Sequence, residues 1–96
     1  MKFKLYQIKD VENCSYSFLG FKDAKQFGFT LDDYEVVYDN EVKISSDVED
    51  MLETIFYILN CHRPEDFTRR SMSVSDVVEL NGKYYYTDTI GFREIT

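Results

Sequence analysis

The chain has 96 residues, of which 44% are hydrophobic and 17% aromatic, and it carries a formal net charge of −7. This length and apolar content are sufficient for one domain (residues 1–96) with its own core, which excludes a generally disordered chain. Nine of the eighteen acidic residues but only one base lie between Asp32 and Glu53, and this acidic segment argues against direct binding to a nucleic-acid backbone.

The N-terminal half predicts two strands and a short helix. Residues 3–8 have apolar or aromatic side chains on both faces of a predicted strand, which indicates that the strand is covered on both sides. Residues 10–15 are polar and predict a loop. A short helix is predicted from Gly20 to Phe27, with Gly28 as its stop. Residues 30–33 predict a turn or a single helical turn. The second strand, Tyr34–Tyr38, is expected to place Tyr34, Val36 and Tyr38 on one face. The helix prediction rests on the helical spacing of Phe18, Phe21, Ala24 and Phe27.

The clearest element is a long helix in the middle of the chain. Ser46 and Glu49 have the spacing of a capping box, with Ser46 as the N-cap. An apolar stripe then continues through Asn60, and it comprises Val48, Met51, Leu52, Ile55, Ile58 and Leu59.

A hairpin near the C-terminus completes the predicted fold. Asn81-Gly82 is a preferred pair for a two-residue turn, which would place Val77 opposite Tyr86 and Leu80 opposite Lys83. Residues 91–95 predict a final edge strand. The fold class expected is α+β: a largely antiparallel sheet of about four to five strands, with one long and one short helix on one face.

Hydroxyls, a carboxylate and two adjacent arginines precede this hairpin, and with one tyrosine of its second strand they are the candidate partner-binding residues: Arg69, Arg70, Ser73, Ser75, Asp76 and Tyr84. The arginines are suited to a phosphate or an acidic partner, or equally to this protein's own acidic segment. The alternative for Ser73 and Ser75 is a local role, in which they shape the turn that enters the hairpin. An exposed aromatic residue beside the arginines would be typical of a protein-interface anchor.

Cys61 and His62 are the other candidates for chemistry. Zinc binding or a Cys–His catalytic pair would need further partners that the cysteine spacing does not provide, so we expect no metal, no cofactor and no catalytic residue. The structural alternative is that Cys61 packs as a small apolar residue and His62 closes the helix.

The cytoplasm is the expected compartment. No stretch approaches the roughly 20 apolar residues that cross a bilayer, and residues 1–5 are not followed by the apolar run of a signal peptide. Cys14 and Cys61 are accordingly expected to be free thiols.

The motif Pro64-Glu65-Asp66-Phe67, the run Ser71–Val78 and the tyrosine-rich strand after Gly82 together resemble the YodL-like domain. Residues 5–8 and 18–21 are similar to it as well. This chain departs from the family pattern at Arg63, which separates His62 from Pro64, and at Arg69, which stands at a glycine position. The family is bacterial and is common in Firmicutes plasmids, conjugative elements and phage-like regions. The resemblance implies an accessory or partner-binding domain and provides no catalytic residues.

Three functional hypotheses follow. The first is a non-enzymatic protein-interaction domain of a bacterial mobile element, with another protein as its partner and a sheet edge free for a homodimer. The second is an acidic DNA mimic of the antirestriction kind. The third is a small enzyme that uses Cys61 and His62. The segment Asp32–Glu53 is correspondingly a solvated face, a docking surface for a basic partner, or a mimic of the DNA backbone.

Overall fold

The computed structural model describes residues 1–95, and this part of the chain is a five-stranded antiparallel sheet with two helices. In chain order the elements are β1 (Lys2–Ile8), α1 (Phe21–Gln26), a 3-10 turn (Leu31–Asp33), β2 (Tyr34–Glu41), α2 (Val48–Cys61), β3 (Val77–Leu80), β4 (Lys83–Thr87) and β5 (Phe92–Ile95). The strand order is β2-β1-β3-β4-β5. The predicted α+β class is therefore confirmed. Within residues 1–95, no helix has the length and apolar character needed to span a membrane.

The interior strand β1 carries buried apolar residues on both faces, as its sequence predicts, although Lys2 and Lys4 leave the start of the second face exposed. Phe3 and Leu5 belong to a first core beneath α2, whereas Ile8 belongs to a second core on the other face. The first core receives Met51, Leu52, Ile55 and Leu59 from α2, and the second receives Ala24 from α1.

The two helices therefore lie on opposite faces of the sheet, and the prediction that both lie on one face was wrong. A sheet whose strands carry apolar side chains on both faces needs a cover on each face. The short helix α1, together with the aromatic residues that flank it, covers part of the second face.

The hairpin has the predicted register. Val77 lies opposite Tyr86 and Leu80 opposite Lys83. Asn81 and Gly82 have φ of +53° and +78°, as a two-residue turn of this type requires. The hairpin places Val77 and Tyr86 in the second core, and Val78 and Tyr85 in the first.

A β-bulge in β2 contradicts the predicted single face of that strand. Leu5 pairs with Tyr38 and Tyr6 pairs with Val36, so that Val37 is the additional residue. Because of this extra residue, Tyr34 packs in the second core while Tyr38 packs in the first.

The N-cap of α2 is Asp47 rather than Ser46. The Asp47 carboxylate accepts a hydrogen bond from the Glu49 backbone N–H at 3.0 Å, and α2 begins at Val48. The predicted capping box was therefore wrong: the cap lies one residue later, and the Asp47 backbone N–H donates to the Ser45 hydroxyl at 3.3 Å instead of to Glu49. At the other end, the backbone N–H of His62 donates to the Ile58 carbonyl at 3.1 Å, so that the helix ends at the predicted residue through its backbone rather than its imidazole.

Candidate functional site

The segment that contains most of the candidate residues runs from the loop after α2 into β3, and its side chains have very different exposures. Arg69 is exposed and Arg70 and Ser73 are half-buried, but Ser75 and Asp76 are completely buried. The prediction that all of them form one accessible surface was therefore wrong for Ser75 and Asp76.

Asp76 is the buried anchor of Arg70. The Asp76 carboxylate accepts hydrogen bonds from the Arg70 guanidinium at 2.9 Å, from the Gln7 side-chain amide at 3.0 Å and from the Ser73 backbone N–H at 2.9 Å. Burial raises the pKa of Asp76 above its ordinary value, while Arg70 and these hydrogen bonds oppose the rise. A carboxylate with this many donors fixes the loop and orients Arg70, and it leaves little capacity for a ligand.

Ser75 makes contacts of a different kind, with distant parts of the chain. Its hydroxyl accepts a hydrogen bond from the Phe18 backbone N–H at 3.0 Å, and its carbonyl accepts one from the Tyr34 hydroxyl at 2.6 Å. Its own N–H donates to the Thr87 carbonyl at 2.9 Å. The φ of Ser75 is +83°, in the left-handed region. The hydroxyl thus positions Phe18, a role that neither the partner-binding nor the local-turn interpretation included.

Phe18 is the functional candidate that the sequence did not reveal. It lies before α1, has a φ of +64°, and its side chain is 48% exposed. The Arg70 guanidinium carbon is 5.1 Å from the centre of its ring, within cation–π range. The predicted helical stripe therefore does not include Phe18, and Phe27, at the end of α1, is exposed as well.

Arg69 pairs with the acidic segment of its own chain. A guanidinium nitrogen lies 3.4 Å from the Glu35 carboxylate, and both side chains are about half exposed. An ion pair of this exposure contributes about 0–1 kcal/mol. Both groups consequently remain available to a partner at little cost. We call the group formed by the exposed Phe18 and Arg69 and the half-buried Arg70 and Glu35 the Phe18–Arg70 surface.

Ser73 and Tyr84 have other surroundings. Beside the Asp76 contact of its N–H, Ser73 has a hydroxyl that lies 3.3 Å from the Ser71 carbonyl. Tyr84 is half-buried, with its ring 5.9 Å from that of Tyr6. The Tyr6 hydroxyl donates to Glu79 at 3.0 Å, so that Tyr84 belongs to a group of side chains on the sheet.

Cys61 and His62 are both exposed at the end of α2. The His62 ring lies against Tyr57, and its Nε2 is 2.8 Å from the Tyr57 hydroxyl. The expectation that Cys61 packs as a small apolar residue was wrong, because the apolar stripe of α2 ends at Leu59 and Cys61 lies outside it. Among residues 1–95 there is no group of three or more His, Cys, Asp or Glu side chains arranged to hold a metal ion.

Seven of the nine acidic residues in the segment Asp32–Glu53 are exposed, and they are distributed over the 3-10 turn, β2 and the start of α2. Asp33 and Glu35 are half-buried. Asp33 accepts a hydrogen bond from the Tyr16 hydroxyl at 2.6 Å. Most of this negative charge is therefore on the surface.

No curated protein and no solved structure shows significant similarity to the chain. A family model described as the YodL-like domain matches residues 2–96, which is nearly the whole length, and the chain therefore belongs to the YodL-like domain family.

Proposed function

We propose that the chain is a non-enzymatic protein-interaction domain that binds another protein through the Phe18–Arg70 surface. In this proposal it acts as an accessory domain of a bacterial mobile genetic element or phage-like region, a setting suggested by the family resemblance. The free thiols of Cys14 and Cys61 support a reducing compartment, and we place the protein in the cytoplasm.

The observation that carries the proposal is the strained and exposed position of Phe18. A bulky residue at positive φ is an outlier that costs of the order of 1–3 kcal/mol. Nearly half of the Phe18 side chain nevertheless faces solvent, where it gains little from burial. Strain that is kept without a matching gain in packing is typical of residues whose position serves binding.

The surroundings of Phe18 support the same proposal. The buried hydroxyl of Ser75 holds its backbone, and Arg70, fixed by Asp76, lies over its ring. Phenylalanine and arginine are both enriched at protein interfaces relative to the rest of the surface. Because these side chains are already ordered, binding would cost less conformational entropy.

This proposal revises the predicted surface. Arg69 and Arg70 remain on it and Phe18 supplies the aromatic anchor. Ser75 and Asp76 act from within as positioning residues. Tyr84, in contact with Tyr6, is not assigned to it.

Acidic mimicry of DNA is a second candidate, favoured by the exposed carboxylates of Asp47, Glu49, Asp50 and Glu53 at the start of α2. It predicts inhibition of a DNA-binding enzyme that weakens as the salt concentration rises. We rank it second because the exposed acids are divided among several elements and are interrupted by apolar residues such as Ile44.

The proposed function is tested by affinity capture from the organism that encodes the chain, with quantitative mass spectrometry. Phe18→Gly removes the ring and relieves the positive φ, which offsets part of the lost contact with Arg70, so this variant should remain folded and yet lose the specific partner. Phe27→Ala is the matched control, because Phe27 is a similarly exposed phenylalanine with a φ of −94°.

A protein captured by the wild type and by Phe27→Ala, but not by Phe18→Gly, supports the proposal. If Phe18→Gly captures the same proteins as the wild type, the Phe18–Arg70 surface is not the binding site.

A further inference from the structure

A second open surface lies beside α2, on the segment that connects β2 to this helix. It is a wide, shallow groove of about 660 Å³ whose lining includes Lys43, Ile44, Asp50, Glu53 and Tyr57. We call it the Tyr57 groove. Asp50, Glu53 and Tyr57 follow one another at helical spacing on the outward side of α2, opposite the stripe that faces the first core.

Two large apolar side chains in the Tyr57 groove are unusually exposed. Ile44 is 71% exposed and Tyr57 is 52% exposed. The other long apolar side chains of α2 nearby, such as Ile55 and Leu59, are completely buried. Covering Ile44 and Tyr57 would release water from apolar surface, which favours association.

Tyr57 is held in place before any partner arrives. Its hydroxyl is 2.8 Å from Nε2 of His62, and the two ring centres are 5.0 Å apart. This contact limits the rotation of the tyrosine side chain, so that less rotamer entropy is lost on binding.

Charge identifies the kind of partner. Asp50 and Glu53 line the groove, and Asp47 and Glu49 are exposed on the neighbouring turn of α2. Lys43 is the single base in the lining. A net negative rim around an apolar centre repels phosphate backbones and anionic lipids, and it attracts Lys and Arg side chains.

We propose that the Tyr57 groove binds a cationic peptide segment of a partner protein, in which an apolar side chain is flanked by Lys or Arg. The apolar side chain lies between Ile44 and Tyr57, and the cations face Asp50 and Glu53. From Asp50 to Tyr57 the helix rises about 10 Å, which corresponds to about three residues of an extended peptide. This site is separate from the Phe18–Arg70 surface and does not depend on it.

The experiment uses the fluorescein-labelled peptide Lys-Arg-Leu-Lys-Arg-Leu, with fluorescence anisotropy for affinity and amide chemical shifts of the ¹⁵N-labelled protein for location. We expect saturable binding with the largest shift changes at Ile44, Glu53 and Tyr57. A second peptide, in which both leucines are serines and the charge is unchanged, should bind about tenfold more weakly, because the apolar anchor is lost.

Matched variants distinguish peptide binding in the Tyr57 groove from nonspecific attraction of a cationic peptide to an acidic protein. Ile44→Ser should weaken binding about fivefold to tenfold, whereas Ile90→Ser, at another exposed isoleucine, should have no effect. Glu53→Lys should weaken binding more than Glu12→Lys, which changes the net charge of the protein by the same amount at an exposed site on a different loop.

The proposal is overturned if the two peptides bind equally, if Glu12→Lys is as damaging as Glu53→Lys, or if the shift changes cluster outside the Tyr57 groove. Absence of binding at millimolar peptide would overturn it as well. The Phe18→Gly variant should bind the peptide like the wild type, so a failure here is distinct from a failure of the proposed function.

Discussion

At Ser75 a buried hydroxyl and a left-handed backbone occur in the same residue, and each has a separate effect on stability. Ser75→Ala removes the acceptor for the Phe18 N–H and should lower the free energy of unfolding by about 1–3 kcal/mol. Ser75→Gly loses the same hydrogen bond but adopts positive φ readily. The glycine variant should therefore be the more stable of the two by about 1 kcal/mol, measured by urea unfolding. Equal losses in both variants would show that the backbone of Ser75 is not strained.

Arg70 neutralises a carboxylate that is removed from water. Arg70→Ala should lower the free energy of unfolding by about 3 kcal/mol at pH 7, because the buried charge of Asp76 then lacks its cation. The double variant Arg70→Ala/Asp76→Asn should recover part of this loss. Urea midpoints of the two variants provide the comparison, and a double variant that is no more stable than Arg70→Ala would contradict this explanation.

Because the pKa of Asp76 is raised in the folded protein, its contribution to the free energy of unfolding changes with pH in a defined direction. The Asp76 carboxyl binds a proton more readily in the folded protein than in the unfolded chain, where its pKa has the ordinary value of 3.8. The contribution of Asp76 to stability is therefore largest below pH 3.8 and decreases as the pH rises through the folded pKa. The stability of the wild type relative to Asp76→Asn should accordingly decrease with rising pH in urea titrations that begin near pH 4. A difference that increases with pH would contradict this direction.

Individual residues of the site were only partly predictable. Arg69 and Arg70 are recognisable because a guanidinium outside a regular element is rarely buried. The burial of Ser75 and the position of Phe18 were not predictable, since the hydrogen bond that joins them spans 57 residues of sequence. The alternation of Ser71, Ser73 and Ser75 suggested polar side chains on an accessible surface. Whether each serine is exposed depends on distant residues that pack over it, as Phe18 does over Ser75.

At the scale of single elements, substitutions at the start of α2 test whether Asp47 or Ser46 is the N-cap. Asp47→Ala should destabilise the protein by about 1 kcal/mol, because the Glu49 N–H loses its acceptor and the helix dipole loses a negative charge. Ser46→Ala should leave the thermal midpoint almost unchanged, as Ser46 is exposed and precedes the cap. The opposite ranking in thermal unfolding would restore the predicted Ser46 cap.

Elements with strong local signals were predicted correctly. Asn81-Gly82 determines a turn through the φ angles that it permits, and the register of the hairpin follows from that turn. The bulge at Val37 has no comparable local signal. Tyr34, Val36 and Tyr38 alternate without interruption in the sequence. The position of the extra residue in β2 depends on how this strand pairs with β1, which the sequence of β2 alone does not show.

At the scale of the whole molecule, the two cores lie on opposite faces of the same strands, and β1 contributes buried residues to both. Leu5→Ala in the first core and Ile8→Ala in the second should each cost about 2–5 kcal/mol. Because both cores share β1, we expect a single unfolding transition in both variants. Far-UV circular dichroism follows mainly α2, and near-UV signals follow the tyrosines, several of which lie in the second core. Midpoints that differ between the two probes would show that the cores unfold separately.

The assignment of the helices to opposite faces also belongs to this scale. Apolar residues on both sides of β1 indicated that each face would be covered. They did not indicate which segment would cover which face, because the path of a connection depends on the tertiary contacts of aromatic residues such as Tyr16 and Phe29.

The edge strand β2 affects the tendency of the protein to aggregate at high concentration. An unpaired border can recruit further chains and grow into fibres. Three of the eight residues of β2 are carboxylates (Glu35, Asp39 and Glu41), so that copies aligned along it repel one another at neutral pH. We propose that a homodimer, if formed through a border, uses the four-residue β5 instead. Acidification toward the isoelectric point of about 4.5 brings the net charge of the whole protein toward zero, and turbidity should then develop as the repulsion between copies weakens.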